Sequence, residues 1–176
     1  VAKFSDPSIQ AALKERGDDW KDLLALYSDI MNRVIEGKPE GMRLGIHLCR
    51  GNKQSYWQAE GSYDLVADTL FNKINADCYF MEYDSPRAGD FSPLKFLPKN
   101  KTAILGLVST KTPEIETGDE LKKRIEEAGK FADLDNLGLS PQCGFASDHL
   151  GNQITVDDEI AKLKLVVDTA KDIWGD

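Results

Sequence analysis

Apolar residues along the chain recur in stretches whose spacing switches between helical and extended. "DDWKDLLALYSDIMNRVIEG" places Trp20, Leu23, Leu24, Tyr27, Met31 and Val34 on one stripe, which predicts an amphipathic helix that stops at Gly37. "MRLGIHLC" follows as an extended segment, and "SYDLVADTLFNKI" then repeats Tyr63, Val66, Ala67, Leu70, Phe71 and Ile74 at helical spacing. The aromatic-rich "DCYFMEY" predicts a second strand. Beyond a loop with Pro86, Gly89, Pro93 and Pro98, "TAILGLVS" reads as a short buried strand. Thr117 and Glu120 have the spacing of a capping box at the head of "TGDELKKRIEEAGKFA". "LGLSPQCG" supplies a fourth strand, weakened by Pro141. A last helix runs from about Thr155, with Asp158 as its box partner, to about Trp174.

Strands separated by helices pair in parallel, with the helices as crossovers. The pattern therefore predicts an α/β fold of four βα units. Such a set forms either a small open sheet or half of an eight-unit barrel, whose usual length is about 250 residues. A chain of 176 residues is long enough to bury a sizeable core as one domain. Its net charge of −8 argues against nucleic-acid and membrane-surface roles, because phosphates and anionic lipids repel an acidic surface. No apolar run is long enough to span a membrane. Three cysteines are too few for a disulfide scaffold, so a reducing, cytoplasmic setting is expected. The opening "VAKF" in place of Met leads us to expect a processed or truncated piece.

Candidate chemistry starts at "RLGIHLCRGN". Alternation on a strand puts Leu44, Ile46 and Leu48 on one face and Gly45, His47 and Cys49 on the other. His47 and Cys49 then project the same way, roughly 7 Å apart along the strand. The pair lies at the C-terminal end of its strand, where parallel α/β folds place their sites. Glu82 ends the second strand and Cys143 closes the fourth, so three of the four strands end in a potential metal ligand. Thiolates with an imidazole favour zinc over hard cations. Cys78 begins its strand and reads as a buried structural thiol. His149, in the polar "SDHLGN", reads as a solvated loop residue. Arg50 and Arg87 follow strand ends, where a carboxylate or phosphate is within reach, although surface ion pairs are the commoner fate of such arginines. The charge run at 114–127 reads as the wet face of a helix.

"HLCRGN", "YFMEYDSPRAGDFSPL", "ILGLVSTKTPEIE" and "LSPQCGFAS" together resemble the C-terminal part of the cobalamin-independent methionine synthase family, above all its shorter single-barrel bacterial and fungal relatives. The resemblance implies that residues 1–176 are the C-terminal half of a (β/α)8 barrel. It also implies a catalytic zinc held by His47, Cys49, Glu82 and Cys143. The implied reaction moves a methyl group from a methyltetrahydrofolate-type donor to the thiolate of homocysteine or a similar small thiol. The barrel's N-terminal half, or another copy of the chain, is then an implied partner. A free thiol has a pKa near about 8.5, so coordination to a metal is what supplies the nucleophile at neutral pH. Glu82, the oxygen ligand, is the one expected to yield to an incoming sulfur. The sequence departs from the family at "VSTKTP", where Lys111 stands in place of a histidine proposed to help protonate the folate. Two other readings share these residues: a zinc-dependent transferase that alkylates a thiol from an epoxide or other electrophile, and a non-enzymatic α/β domain whose metal or buried thiols are structural.

Overall fold

Four strands, β1 (Gly45–His47), β2 (Cys78–Glu82), β3 (Thr102–Val108) and β4 (Leu137–Pro141), pair in parallel and in chain order. They belong to a computed structural model that describes residues 2–175. The α-helices are α1 (Pro7–Arg16), α2 (Trp20–Glu36), α3 (Gly118–Ala128) and α4 (Val156–Trp174). The α/β fold with parallel pairing is as the patterning predicts.

One face of the sheet is dry. Tyr79, Met81, Ala103, Leu105 and Leu107 alternate onto it and pack with Tyr63, Val66, Leu70, Phe71, Leu121 and Ile125 in the main core. The opposite face carries His47, Phe80 and Ile104, and Phe80 remains 40% exposed. Here large and small residues interlock across neighbouring strands. A Cβ on Gly45 would lie 2.8 Å from both Cys78 Sγ and the Phe80 ring, so this position has room only for glycine. Cys78 is half-buried on this open face, which corrects the expectation of a fully buried thiol.

Several elements differ from their patterns for identifiable reasons. The segment at 62–74 buries its apolar residues as its spacing requires, yet it is built of turns and one π-helical stretch at Thr69–Lys73. Tertiary packing decides its backbone, and periodicity reported only the burial. In α2 the buried line runs through Leu24, Ser28 and Ile35, leaving Val34 62% exposed, so the helix is rotated from the predicted stripe. Helix α1 has no buried residue and hence no apolar signal; Asp6 caps its start by accepting from the Ser8 N–H, and Gly17 ends it at φ 86°. The capping boxes Thr117–Glu120 and Thr155–Asp158 both form. β1 is shorter than its apolar run, and Asp77 pins its approach by accepting from Leu44 N–H and Lys38 Nζ, each at 2.7 Å.

No helix among the described residues is long and apolar enough to cross a membrane. Because Leu105 is fully buried at the centre of the dry face, Leu105→Ala is expected to lower stability by about 2–5 kcal/mol. Thr117→Ala, which removes a cap, should cost about 1 kcal/mol. Urea unfolding of the two variants checks both values and their order.

Candidate metal centre

β1 ends at His47, β2 at Glu82 and β4 at Pro141, two residues before Cys143. In a flat sheet β1 and β4 would stand about 14 Å apart, three strand spacings. Yet Cys49 Sγ and Cys143 Sγ lie 3.6 Å from each other. The sheet's curvature and the loops beyond its strand ends close that gap over the end of β3, which contributes no donor. Gly106 of β3 makes the approach feasible: a Cβ there would lie 2.6 Å from the Met81 carbonyl and 3.4 Å from Gln142 Cα. Cys143 itself takes a left-handed backbone at φ 51°, an uncommon conformation for a side chain-bearing residue, and this turn follows directly after the strand.

The four donor atoms of His47, Cys49, Glu82 and Cys143 all lie within 4.8 Å of one another. Cys143 Sγ is 3.5 Å from His47 Nε2 and donates to Glu82 Oε1 at 2.6 Å. His47 Nε2 stands 3.7 Å from the same oxygen. Bonds of about 2.3 Å to sulfur and 2.0 Å to nitrogen make the edges of a tetrahedral zinc site about 3.8 Å between sulfurs and 3.5 Å from sulfur to nitrogen. The sulfur–sulfur and sulfur–nitrogen spacings match those edges, and the Cys143–Glu82 hydrogen bond at 2.6 Å would have to lengthen for two thiols, an imidazole and a carboxylate to hold a four-coordinate metal.

Electrostatics support the same conclusion. Cys49 is pulled down to about 3 by its hydrogen bond with Cys143, then by His47 and the Gly51 N–H. Cys143 is pushed up by that same thiolate neighbour, by burial and by the Glu82 carboxylate to which it donates. His47 is raised, chiefly by its contact with Cys49. A cation bound at this cluster would displace the proton that Cys143 donates to Glu82.

Glu82 is 1% exposed, and both oxygens are engaged. Oε2 accepts from the Arg50 N–H at 3.1 Å and from Gln142 Nε2 at 2.8 Å. Its own N–H lies beyond the end of β1 and donates instead to Tyr63 Oη at 2.9 Å. Arg50, expected at the surface, is buried completely: its guanidinium stacks 4.3 Å from the Tyr63 ring centre and donates to the Gly61 carbonyl. Its place is structural, because it anchors the loop that supplies the backbone donor to Glu82. Arg87 is also drawn inward, pairing with Asp84 at 3.1 Å beside the Trp57 ring. Asn52 crosses to Thr110 Oγ1 and the Gly144 carbonyl, both at 3.2 Å, tying three strand-end loops together.

Lys111 is buried. Its Nζ donates to Gln142 Oε1 and stands 3.7 Å from Asp84 Oδ2. It lines a cleft of about 480 Å³ with Trp57, Asp84, Arg87, Ser109 and Glu116. A second cleft, of about 550 Å³, holds the four candidate metal ligands together with Phe80 and Ser140. His149 is exposed in its loop, as expected. Gln142 and Asp84 escaped the sequence reading. Their one signal is position: each lies within two residues of a strand end that also bears a candidate ligand.

Metal uptake should therefore fail in Cys49→Ser and Cys143→Ser but persist in Cys78→Ser, as metal analysis of the purified variants would read. Uptake must also expel the proton of Cys143, so affinity should rise with pH, and calorimetry in buffers of differing ionisation enthalpy should register proton release.

Comparison with known proteins locates this arrangement. Residues 60–172 match the family model described as the cobalamin-independent synthase, catalytic domain. The chain is 40% identical over 172 residues to the uncharacterized protein YxjH of Bacillus subtilis, covering 97% of this chain and 46% of that one. It is 21% identical to the 5-methyltetrahydropteroyltriglutamate–homocysteine methyltransferase of Bacillus velezensis, across 97% of this chain and 20% of the relative. A solved structure, the putative vitamin-B12 independent methionine synthase of Listeria monocytogenes, superposes with a TM-score of 0.69 at 35% identity, over 90% of this chain and 43% of the other. The chain thus spans less than half the length of the relatives it matches.

Proposed function

The chain belongs to the cobalamin-independent synthase catalytic-domain family, and from that premise we propose that it carries the zinc site of a methyltransferase acting on homocysteine or a similar small thiol. The observation that supports this most is the convergence of His47, Cys49, Glu82 and Cys143 from three strand ends at coordination spacing. The methyl donor in this reading is a methyltetrahydrofolate. Residues 1–176 form the C-terminal half of a (β/α)8 barrel, and the open sheet face carrying Phe80 is closed by the N-terminal half or by another copy. Free thiols of this kind suit a reducing, cytoplasmic compartment.

His47, Cys49, Cys143 and Glu82 would hold the zinc. When bound, zinc supplies the Lewis acidity that keeps a substrate thiol in its thiolate form at neutral pH. Glu82 would be the hard ligand in a soft set, so its Oε1 is the atom that would give way to an incoming sulfur. The carboxylate stays in place when it does so, because Oε2 is held by Arg50 and Gln142. Phe80, Met81 and Pro141 line the cleft beside the cluster. Transfer forms the sulfur–methyl bond and breaks the nitrogen–methyl bond, and the leaving nitrogen takes up a proton. Lys111, in the adjoining cleft with Trp57 and Arg87, is the buried proton carrier on that side. A lysine is a weaker acid than a histidine at neutral pH, so transfer from an ordinary methyltetrahydrofolate should be slow. That same lysine favours, as a second reading, alkylation of the thiol by a different electrophile; a donor screen against fixed homocysteine separates the two.

X-ray absorption on the zinc-loaded full chain tests the central step. Adding homocysteine should raise the sulfur count at the metal by one and remove an oxygen. Glu82→Gln should keep zinc and still admit the thiol, whereas His47→Ala should lose zinc. An unchanged sulfur count would overturn thiol activation at the metal.

A further inference from the structure

Gln142 lines the cleft of the four candidate ligands and is bonded to Lys111, which lines the adjoining one. It is 1% exposed, and every polar group it has is spoken for. Its N–H donates to the Val108 carbonyl at 2.8 Å and its carbonyl accepts from Thr110 Oγ1 at 2.6 Å, which fixes its backbone against β3. Its side-chain oxygen accepts from Lys111 Nζ, and its amide nitrogen donates to Glu82 Oε2 at 2.8 Å. An ammonium group only donates, so Lys111 determines which end of the amide faces it. The amide NH2 is thereby turned toward Glu82. Were the amide reversed, its oxygen would face a buried carboxylate with no proton between them.

We propose that Gln142 is a positioning residue for Glu82: with the Arg50 N–H it occupies Oε2, so that Oε1 alone faces the thiols and the imidazole, and Lys111 sets the direction of the amide. This deepens the zinc reading above and rests on it. A carboxylate tied at one oxygen serves as a one-atom ligand that can leave and return without its side chain moving. A carboxylate free at both oxygens would turn to offer both, raising the coordination number and closing the position that a sulfur must enter. Lys111 therefore has a role that does not depend on its ever giving up a proton.

The test uses the full chain loaded with Co²⁺ in place of Zn²⁺, whose visible absorption is strong for four-coordinate sites and weak for higher coordination. Gln142→Met keeps the volume and removes both side-chain hydrogen bonds. We expect it to fold, to bind metal about 10–100-fold more weakly by chelator competition, and to show a weakened cobalt band. Lys111→Met should weaken the band in the same direction with a smaller loss of affinity, because the amide is then free to turn. Wild-type affinity and spectrum in Gln142→Met would overturn the proposal. If that variant does not fold, a wild-type cobalt band in Lys111→Met overturns it instead. A wild-type chain that takes up neither metal overturns the zinc reading and this one with it, whereas normal uptake with unperturbed variants removes only the role of Gln142.

Discussion

A carboxylate buried at the end of a strand must find partners for both oxygens, and the neighbourhood of Glu82 is arranged around that requirement. Leaving an ionised group unpaired in a dry site costs several kcal/mol. Three separate loops answer the demand: the one after β1 through the Arg50 N–H, and the one after β4 through Gln142 and Cys143. The third, after β3, acts indirectly, since Thr110 and Lys111 hold Gln142 in place. These contacts add to the Asn52 bridges to Thr110 and Gly144 in holding the three loops together. The same residue that organises the loops is also a candidate metal ligand, so the site's geometry and the local fold have one origin.

Convergence also depends on what is absent from β3. Its neighbours β2 and β4 each end in a donor or lead into one, but β3 presents Gly106 beneath the cluster. That missing side chain lets the Gln142 backbone come close, and the resulting turn carries Cys143 into its left-handed conformation. A bulkier residue at this point would hold the strand ends apart, and the two sulfurs would not share an edge. The fold therefore reaches its site by subtraction at β3 and by addition at β1, β2 and β4.

Much of this was readable from residue types and spacing, and the exceptions have physical causes. His47, Cys49, Glu82 and Cys143 stood out because strand ends of parallel sheets gather side chains, and their identities suit one metal. Both capping boxes were readable because they are local devices that need only three residues of spacing. The π-helical stretch at Thr69–Lys73 was not, since hydrophobic periodicity reports which residues are buried and not the hydrogen bonds of the backbone. Helix α1 buries no residue fully, with only Leu13 leaning on the core, and so leaves little apolar trace. Arg50 misled because an arginine after a strand is ordinarily solvated, and only the tertiary structure supplies the Tyr63 ring on which it stacks. Gln142 carries no chemical signature in sequence. Its importance comes entirely from standing between two charged residues that lie 31 and 60 positions away in the chain.

The site combines two properties that usually oppose each other. Its frame is stiff: Tyr63, Arg50, Asn52, Thr110 and Gln142 are all buried, and each bonds across a loop boundary. Its mouth is open, since His47 and Phe80 stay exposed on a sheet face that no helix among the described residues covers fully. A purely structural metal site has no use for that opening, because four closed ligands serve it best. A site that must admit a sulfur needs one ligand able to leave and a wall against which the newcomer is aligned. In the zinc reading proposed above, the frame would limit what can leave to a single oxygen of Glu82, since both thiols and the imidazole are the softer and stronger donors. The open face supplies the approach. The wall on the far side of that approach is then the one component these strands do not provide, and an eight-strand barrel closes at that point.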